Sequence, residues 1–226
     1  MMEYIVNRTD VRPRLKGLWD GAAWGDVEPL DVACFLRDSS DHRPQTLAKL
    51  LYDDTAIYGI FKVRDQYVRC RETEFQGEVW FDSCVEFFFQ PDGAEGYFNF
   101  EFNCGGALLA HYNRIDSPGA EPPPASLDAE DGRAIGIHHS LPPVVDPELE
   151  EETTWLLEFA IPFAVLSKHV GEVRGVEGWA WRANFYKCAE ANSHPHWASW
   201  SPLEEGQIPN FHQPECFGTI RFAENA

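Results

Sequence analysis

Basic side chains are scarce in this sequence of 226 residues: 18 Lys and Arg stand against 37 Asp and Glu, which gives a formal net charge of −19 at pH 7. Proteins that bind nucleic acid or anionic membranes contact phosphates through clustered Lys and Arg. We therefore expect neither nucleic acid nor a membrane surface as a partner. Neutral and cationic ligands are compatible with this charge.

Long apolar runs are also missing. A membrane span needs about 18 consecutive apolar residues, and the longest run here, residues 156–166, is interrupted by Glu158 and Pro162. The N-terminus has neither the basic nor the apolar region of a signal peptide. We therefore expect a cytoplasmic protein from the sequence as it stands, and a periplasmic or secreted one if a leader was removed.

The six cysteines include no C-x-x-C pair, which removes the usual signals of zinc ribbons and thioredoxin-like sites. Several fall in apolar, strand-like segments, where a free cysteine acts as a small apolar residue. This usage favours a reducing compartment. The cysteines are Cys34, Cys70, Cys84, Cys104, Cys188 and Cys216.

Helical periodicity is almost absent, and short runs of aromatic and β-branched residues recur between turn signals instead. This pattern predicts an all-β fold, an antiparallel β-sandwich of the immunoglobulin or jelly-roll kind with at most short helices. One short helix is expected over 163–169, after Pro162. The clearest predicted strands are residues 56–63, 84–89, 97–103, 155–161 and 179–187.

Residues 116–153 are rich in proline and acidic residues and predict a long irregular excursion. Residues 117–124 cannot form a central strand, because proline removes ladder donors. The acidic run at 146–152 reads as a solvated loop, and residues 134–137 as one edge strand. We therefore expect residues 1–226 to be a single domain with this excursion, and not two domains.

The run at 97–103 alternates aromatic and polar side chains. Phe98, Phe100 and Phe102 fall on one face of the predicted strand, so Asn99, Glu101 and Asn103 project from the other. Such a polar face either meets solvent or lines a polar site.

Trp80 lies just before the predicted strand at 84–89, at a junction between loop and strand. A tryptophan there either caps the core or offers a flat apolar face that suits the C–H face of a sugar ring.

In its order of segments the chain resembles carbohydrate-binding module family 9, within a wider group of sandwich domains that includes haem-binding members. No single segment is diagnostic, and the resemblance rests on their common order along nearly the whole chain. The matching segments are residues 17–24, 48–65, 79–88, 155–162, 184–186, 199–202 (with Trp200) and 216–220.

This resemblance implies a β-sandwich that binds a mono- or oligosaccharide between two aromatic planes, without catalysis. Trp80 matches the first plane and Glu86 the carboxylate that reaches the sugar. Phe211 would be the second plane, at a position where many members have Trp. Further hydrogen bonds to the sugar would come from Asn99, Glu101 and Asn103, although these residues do not match family positions one by one. Further expected ligand-binding residues are Tyr186, Lys187 and Trp200. The family often carries structural calcium, but no Asp-rich loop is visible here to hold it.

The histidines offer a different expectation. His194 and His196 flank Pro195, and His212 follows Phe211. If the two loops meet, three imidazoles could hold zinc or copper; otherwise they hydrogen-bond sugar hydroxyls or loop backbone.

Two further functions stay open. Glu86 and Glu101 on neighbouring strands could serve as the carboxylate pair of a glycoside hydrolase. A haem domain of the same wider group would need axial ligands, and the only methionines are Met1 and Met2. A bis-histidine site is then the remaining route to haem.

Overall fold

Sixteen β-strands, two short α-helices and two 3₁₀ turns make up the regular structure of residues 2–115, 124–206 and 208–224, the part of the chain that the computed structural model describes. Within this part no helix is long and apolar enough to cross a membrane. The 3₁₀ turns are Val79–Phe81 and Pro214–Cys216, and the helices are α1 (Ala129–Ala134) and α2 (Phe163–Val170). The strands are β1 (Glu3–Arg8), β2 (Leu30–Asp31), β3 (Cys34–Phe35), β4 (Gln45–Tyr52), β5 (Ala56–Asp65), β6 (Val68–Cys70), β7 (Cys84–Gln90), β8 (Gly96–Asn103), β9 (Leu108–Arg114), β10 (Ala125–Ser126), β11 (Gly136–His139), β12 (Val145–Leu149), β13 (Thr153–Pro162), β14 (Ala180–Ala189), β15 (His196–Ser199) and β16 (Gly218–Phe222).

Most of the strands belong to one curled sheet with the order β10-β9-β8-β7-β14-β16-β1-β4-β5-β13-β11. Strand β15 also pairs with β14 and β3, β2 pairs with β4, and β12 pairs with β6 in a separate ribbon. Strand β1 runs parallel to β16 and then parallel to β4, and so joins the two halves. The all-β sandwich is confirmed, and the predicted antiparallel pairing holds everywhere among the described strands except at β1.

The core lies between the two halves of the sheet and is mostly aromatic. Phe87 and Phe185 come from one half, and their rings lie 5.9 Å from Phe159 and 6.2 Å from Phe61 of the other half. Gly59 in β5 pairs with Phe159 in β13. A Cβ atom at position 59 would lie only 2.1 Å from that ring, so the close packing requires glycine.

The predicted strands and the helix after Pro162 are confirmed to within a few residues of their ends. In β8 the three phenylalanines are buried in the core, and Asn99 and Glu101 face the opposite side. The helix α2 begins at Phe163, directly after Pro162, because proline has no N–H to contribute and its fixed φ suits a helix start.

Residues 124–153 are more regular than predicted; most of the Pro-rich stretch, 116–123, lies outside the described residues. An edge strand was expected over 134–137; strand β11 forms it two residues later and pairs with β13. The acidic run was predicted to be a loop, and this is wrong for its first half: β12 pairs with β6. The buried Val145 anchors this strand despite the acidic neighbours. Helix α1 begins at the cap Asp128, whose side chain accepts hydrogen bonds from the backbone of Glu130 and Asp131.

Candidate functional site

A cleft of about 350 Å³ lies on the face of β7, β8, β9 and β14 that points away from the core. Its walls combine aromatic rings, carboxyl groups, amides and imidazoles. The lining residues are Trp80, Glu86, Phe88, Asn99, Glu101, Leu109, His111, Asn113, Pro124, Cys188, Glu190, Trp197, Pro209, Asn210, Phe211 and His212. The structure therefore brings together five of the residues predicted from the sequence as ligand contacts, and His212 with them.

Two buried glutamates form the floor of the cleft. Glu86 in β7 pairs directly with Glu101 in β8, and alternation along each strand turns both side chains to the same face. Burial raises the pKa of Glu86 well above its usual range, and the Glu101 carboxyl adds to this effect. Burial also raises the pKa of Glu101 to about 7. Both groups are thus protonated at higher pH than an exposed glutamate.

Hydrogen bonds fix the polar side of the floor. Asn113 Nδ2 donates to Asn99 Oδ1 at 2.6 Å, and Asn99 Nδ2 donates to Glu101 Oε1 at 2.8 Å. On the other side, the Cys188 thiol lies 3.2 Å from Glu86 Oε1 and donates to it. These bonds hold each carboxyl group in one orientation at the floor of the cleft.

Trp80 lies in the 3₁₀ turn Val79–Phe81 and is partly exposed. The backbone N–H of Glu190 donates to the Trp80 carbonyl at 3.2 Å, and that of Ala191 donates to the Phe81 carbonyl at 3.0 Å. The turn is thereby attached to the end of β14, and it presents the indole at the cleft.

Phe211 is supported from behind by Tyr186. The two rings stack with centroids 4.3 Å apart and an interplanar angle of 12°. The Tyr186 hydroxyl donates to the Phe211 carbonyl at 3.0 Å. Tyr186 is fully buried, so it acts as a positioning residue for Phe211 and does not line the cleft.

Asn103, Lys187 and Trp200 do not reach the cleft, which corrects the expectation that they contact ligand. Asn103 Nδ2 donates to the Glu72 carbonyl and to Asp82 Oδ2. Trp200 is buried in the core, with its ring 5.7 Å from that of Phe185.

Lys187 lies on the core side of β14, opposite to Tyr186 and Cys188. Its Nζ is 3.4 Å from Asp65 Oδ2 and 2.7 Å from His196 Nε2. Burial alone would raise the pKa of Asp65, but the charge of Lys187 and a hydrogen bond from His42 hold that pKa well below its usual range. The lysine therefore belongs to a buried ion pair.

The three histidines predicted as metal ligands contact different partners and do not come together in one cluster. They therefore do not form the predicted imidazole metal site. His212 lies at the rim of the cleft with Nδ1 against the Tyr97 hydroxyl at 2.8 Å. His196 is buried against Lys187, and its Nδ1 hydrogen-bonds the His194 carbonyl. The His194 ring stacks on Tyr67 at 3.6 Å.

Among the described residues, one group of His, Cys, Asp and Glu side chains brings three or more metal-ligating atoms within 4.8 Å of one another: Cys84, Glu86 and Cys188. Calcium prefers six to eight oxygen ligands, so this sulfur-containing group does not fit the calcium that the family resemblance implied. A thiophilic ion such as zinc suits its donors better.

Ten of the cleft residues were not predicted from the sequence, among them His111, Asn113, Glu190 and Trp197. The first two lie in β9 and Trp197 lies in β15, and neither strand was among those assigned from sequence. Trp197 Nε1 donates to Glu190 Oε1 at 3.0 Å, which ties this second tryptophan to the acidic wall. Alternation of His111 and Asn113 with the buried Tyr112 was the available signal.

Comparison with known proteins identifies the family of this chain. The model of the family described as carbohydrate-binding family 9 matches residues 24–222. The chain therefore belongs to carbohydrate-binding family 9. No curated protein gave a significant match.

Three solved structures are similar along the whole chain. A candidate carbohydrate-binding protein from Bacteroides uniformis is 30% identical with a TM-score of 0.82, over 97% of this chain and 98% of the other. A family 9 module from Caldicellulosiruptor kristjanssonii, solved with glucose, is 16% identical with a TM-score of 0.65, over 100% of this chain and 97% of the other. A family 9 module from the same organism, solved with cellotriose, is 16% identical with a TM-score of 0.66, over 100% of this chain and 95% of the other.

Proposed function

We propose that the cleft binds a saccharide and leaves it chemically unchanged. The observation that carries this proposal is the convergence of Trp80, Phe211, Glu86, Asn99 and Glu101 on one cleft in a member of a carbohydrate-binding family. The Caldicellulosiruptor modules of similar fold were solved with glucose and with cellotriose, and these sugars are the first ligands to test.

In this proposal the sugar ring packs its C–H faces against Trp80 and Phe211. Phe211 is already stacked on Tyr186, so little side-chain freedom is lost when a ring packs against it. The hydroxyls then meet Asn99, Glu86 and Glu101. A protonated carboxyl both donates and accepts hydrogen bonds, so the raised pKa values suit neighbouring hydroxyls of a neutral sugar.

The size of the cleft favours a chain end or a short oligosaccharide. Its volume of about 350 Å³ lies near the lower limit of ligand pockets, which span about 300–1,000 Å³. With so little buried area we expect dissociation constants between about 1 μM and 1 mM.

The experiment is isothermal titration of the protein with glucose, cellobiose, xylobiose and the corresponding alditols. We expect glucose, cellobiose and xylobiose to bind. An alditol should not bind if its opened, reduced unit is the one that would occupy the cleft. Trp80→Ala should weaken binding at least tenfold, since it removes one stacking surface. Trp179→Ala is the matched control, because Trp179 is partly exposed and lies outside the cleft.

Failure of every sugar to bind would refute the proposal. Equal binding by the Trp80 and Trp179 variants would move the site away from the cleft.

Glycoside hydrolysis is a second candidate, favoured by one observation. Glu86 and Glu101 are directly opposed on neighbouring strands, where Cβ atoms lie about 4.5–5.5 Å apart, so their carboxyl groups are within reach of glycosidase geometry. Release of new reducing ends from cellotriose by the wild type, and its loss in Glu86→Gln, would establish hydrolysis. Intact cellotriose after prolonged incubation would leave binding alone.

The wider kinship with haem-binding sandwich domains stays a hypothesis about ancestry of the fold. If the purified protein shows no Soret band after incubation with haem, it takes up no haem and a haem function is excluded.

A further inference from the structure

The cleft carries carboxyl groups and two imidazoles, His111 and His212, but no lysine or arginine among its described lining residues. The carboxyl groups are those of Glu86, Glu101 and Glu190. The residues outside the description, 1, 116–123, 207 and 225–226, contain no Lys or Arg in the sequence. Lys187 is next to the cleft residue Cys188 along β14, but its Nζ lies on the opposite face of the sheet, in the ion pair with Asp65.

Two of the three acids are placed so that they repel each other when ionised. Glu86 and Glu101 are directly opposed across β7 and β8, and like charges in that position destabilise a sheet. Both are almost fully buried, so water screens the repulsion only weakly. A cation between them would remove the repulsion, and no lysine or arginine among the described lining residues supplies one.

We infer that the cleft prefers an amino sugar, with its ammonium group against Glu86 and Glu101, to the corresponding neutral sugar, and that it rejects sugars bearing carboxylate or phosphate. This inference rests on the proposed saccharide site. An ammonium group has three donors and no acceptor, which matches a wall of carboxyl oxygens. Hydrogen bonds between charged partners are also about twice as strong as neutral ones.

The test is isothermal titration at pH 6.5 in EDTA with glucose, glucosamine, N-acetylglucosamine and glucuronic acid. We expect glucosamine to bind about tenfold more tightly than glucose, N-acetylglucosamine no more tightly than glucose, and glucuronic acid not at all.

Two variants distinguish an effect of the cleft carboxyl groups from an effect of the protein's overall charge. Glu101→Gln removes one carboxyl group of the pair and should reduce the preference for glucosamine to threefold or less. Asp92→Asn removes the same charge from an exposed turn after β7 and should leave the preference unchanged. Equal effects of both variants would overturn the inference, because the net charge of −19 would then explain it.

The sugars also separate this inference from the proposed function. If glucose binds and glucosamine binds no more tightly, the inference is overturned and the saccharide site stands. If neither sugar binds, the proposed function fails and the inference fails with it.

Discussion

Replacing Glu101 by glutamine is expected to stabilise the protein increasingly as the pH rises. Glu101 is 5% exposed, and burial raises its pKa from 4.5 to about 7. Glutamine keeps the shape of the side chain and retains a carbonyl oxygen for the 2.8 Å hydrogen bond from Asn99 Nδ2. The substitution therefore removes the ionisation of Glu101 and, with it, the contribution of Glu101 to the raised pKa of Glu86.

The sign and size of the effect follow from proton binding. The unfolded chain releases the Glu101 proton near pH 4.5, whereas the folded protein keeps it until about pH 7. Between these values the folded state binds more protons, so the stability of the wild type falls as the pH rises. The full shift corresponds to about 3 kcal/mol. Between pH 5.5 and 8 the expected part is about 2 kcal/mol.

The assay is urea unfolding of the wild type, Glu101→Gln and the control Asp92→Asn at pH 5.5 and pH 8. The free energy of unfolding of Glu101→Gln, relative to the wild type, should increase by about 2 kcal/mol between the two pH values. The control should show no such change, because Asp92 is exposed. An equal difference between Glu101→Gln and the wild type at both pH values would refute the placement of Glu101 as a buried acid.

Three other substitutions test the structure around the cleft. Tyr186→Phe removes the hydrogen bond to the Phe211 carbonyl, so we expect a loss of about 1 kcal/mol in urea unfolding and weaker glucose binding by titration; no change in either would contradict this positioning role. Gly59→Ala places a methyl group 2.1 Å from a phenylalanine ring of β13 and should cost about 3 kcal/mol or more, measured by thermal unfolding; wild-type stability would contradict the close packing. Lys187→Met leaves the buried Asp65 without its lysine and should cost about 3–5 kcal/mol in urea unfolding; a loss under about 1 kcal/mol would contradict the ion pair.

Alternation along single strands was the part of this fold that the sequence predicted well. In β8 the aromatic and polar side chains separate to opposite faces as expected, because successive side chains of a strand point in opposite directions. Phe100 therefore lies in the core, while Asn99 and Glu101 reach the cleft. This local rule needs no knowledge of which strands are neighbours.

The same rule shows why Lys187 was misplaced. Tyr186 and Lys187 are adjacent in β14, so their side chains cannot face the same side of the sheet. Tyr186 packs behind the cleft residue Phe211, and Lys187 points to the core. Because lysine is polar, Lys187 was predicted to contact ligand. Its burial is favourable because it pairs with Asp65, which lies in β5, far away in the sequence. Only the tertiary structure brings these two together.

Asn99 and Asn103 show that one polar face can serve two purposes. Both lie on the same side of β8, yet Asn99 lines the cleft and Asn103 is covered. The difference comes from the segment that crosses the end of the strand: Asp82, directly after the turn that carries Trp80, accepts a hydrogen bond from Asn103 Nδ2 at 3.1 Å. Asp82 also accepts hydrogen bonds from the backbone N–H groups of Arg71 and Glu72. Asn103 thus anchors the turn that holds the tryptophan at the cleft. The place where a loop crosses the strand decides the role of each asparagine, and the spacing of residues within β8 does not encode that place.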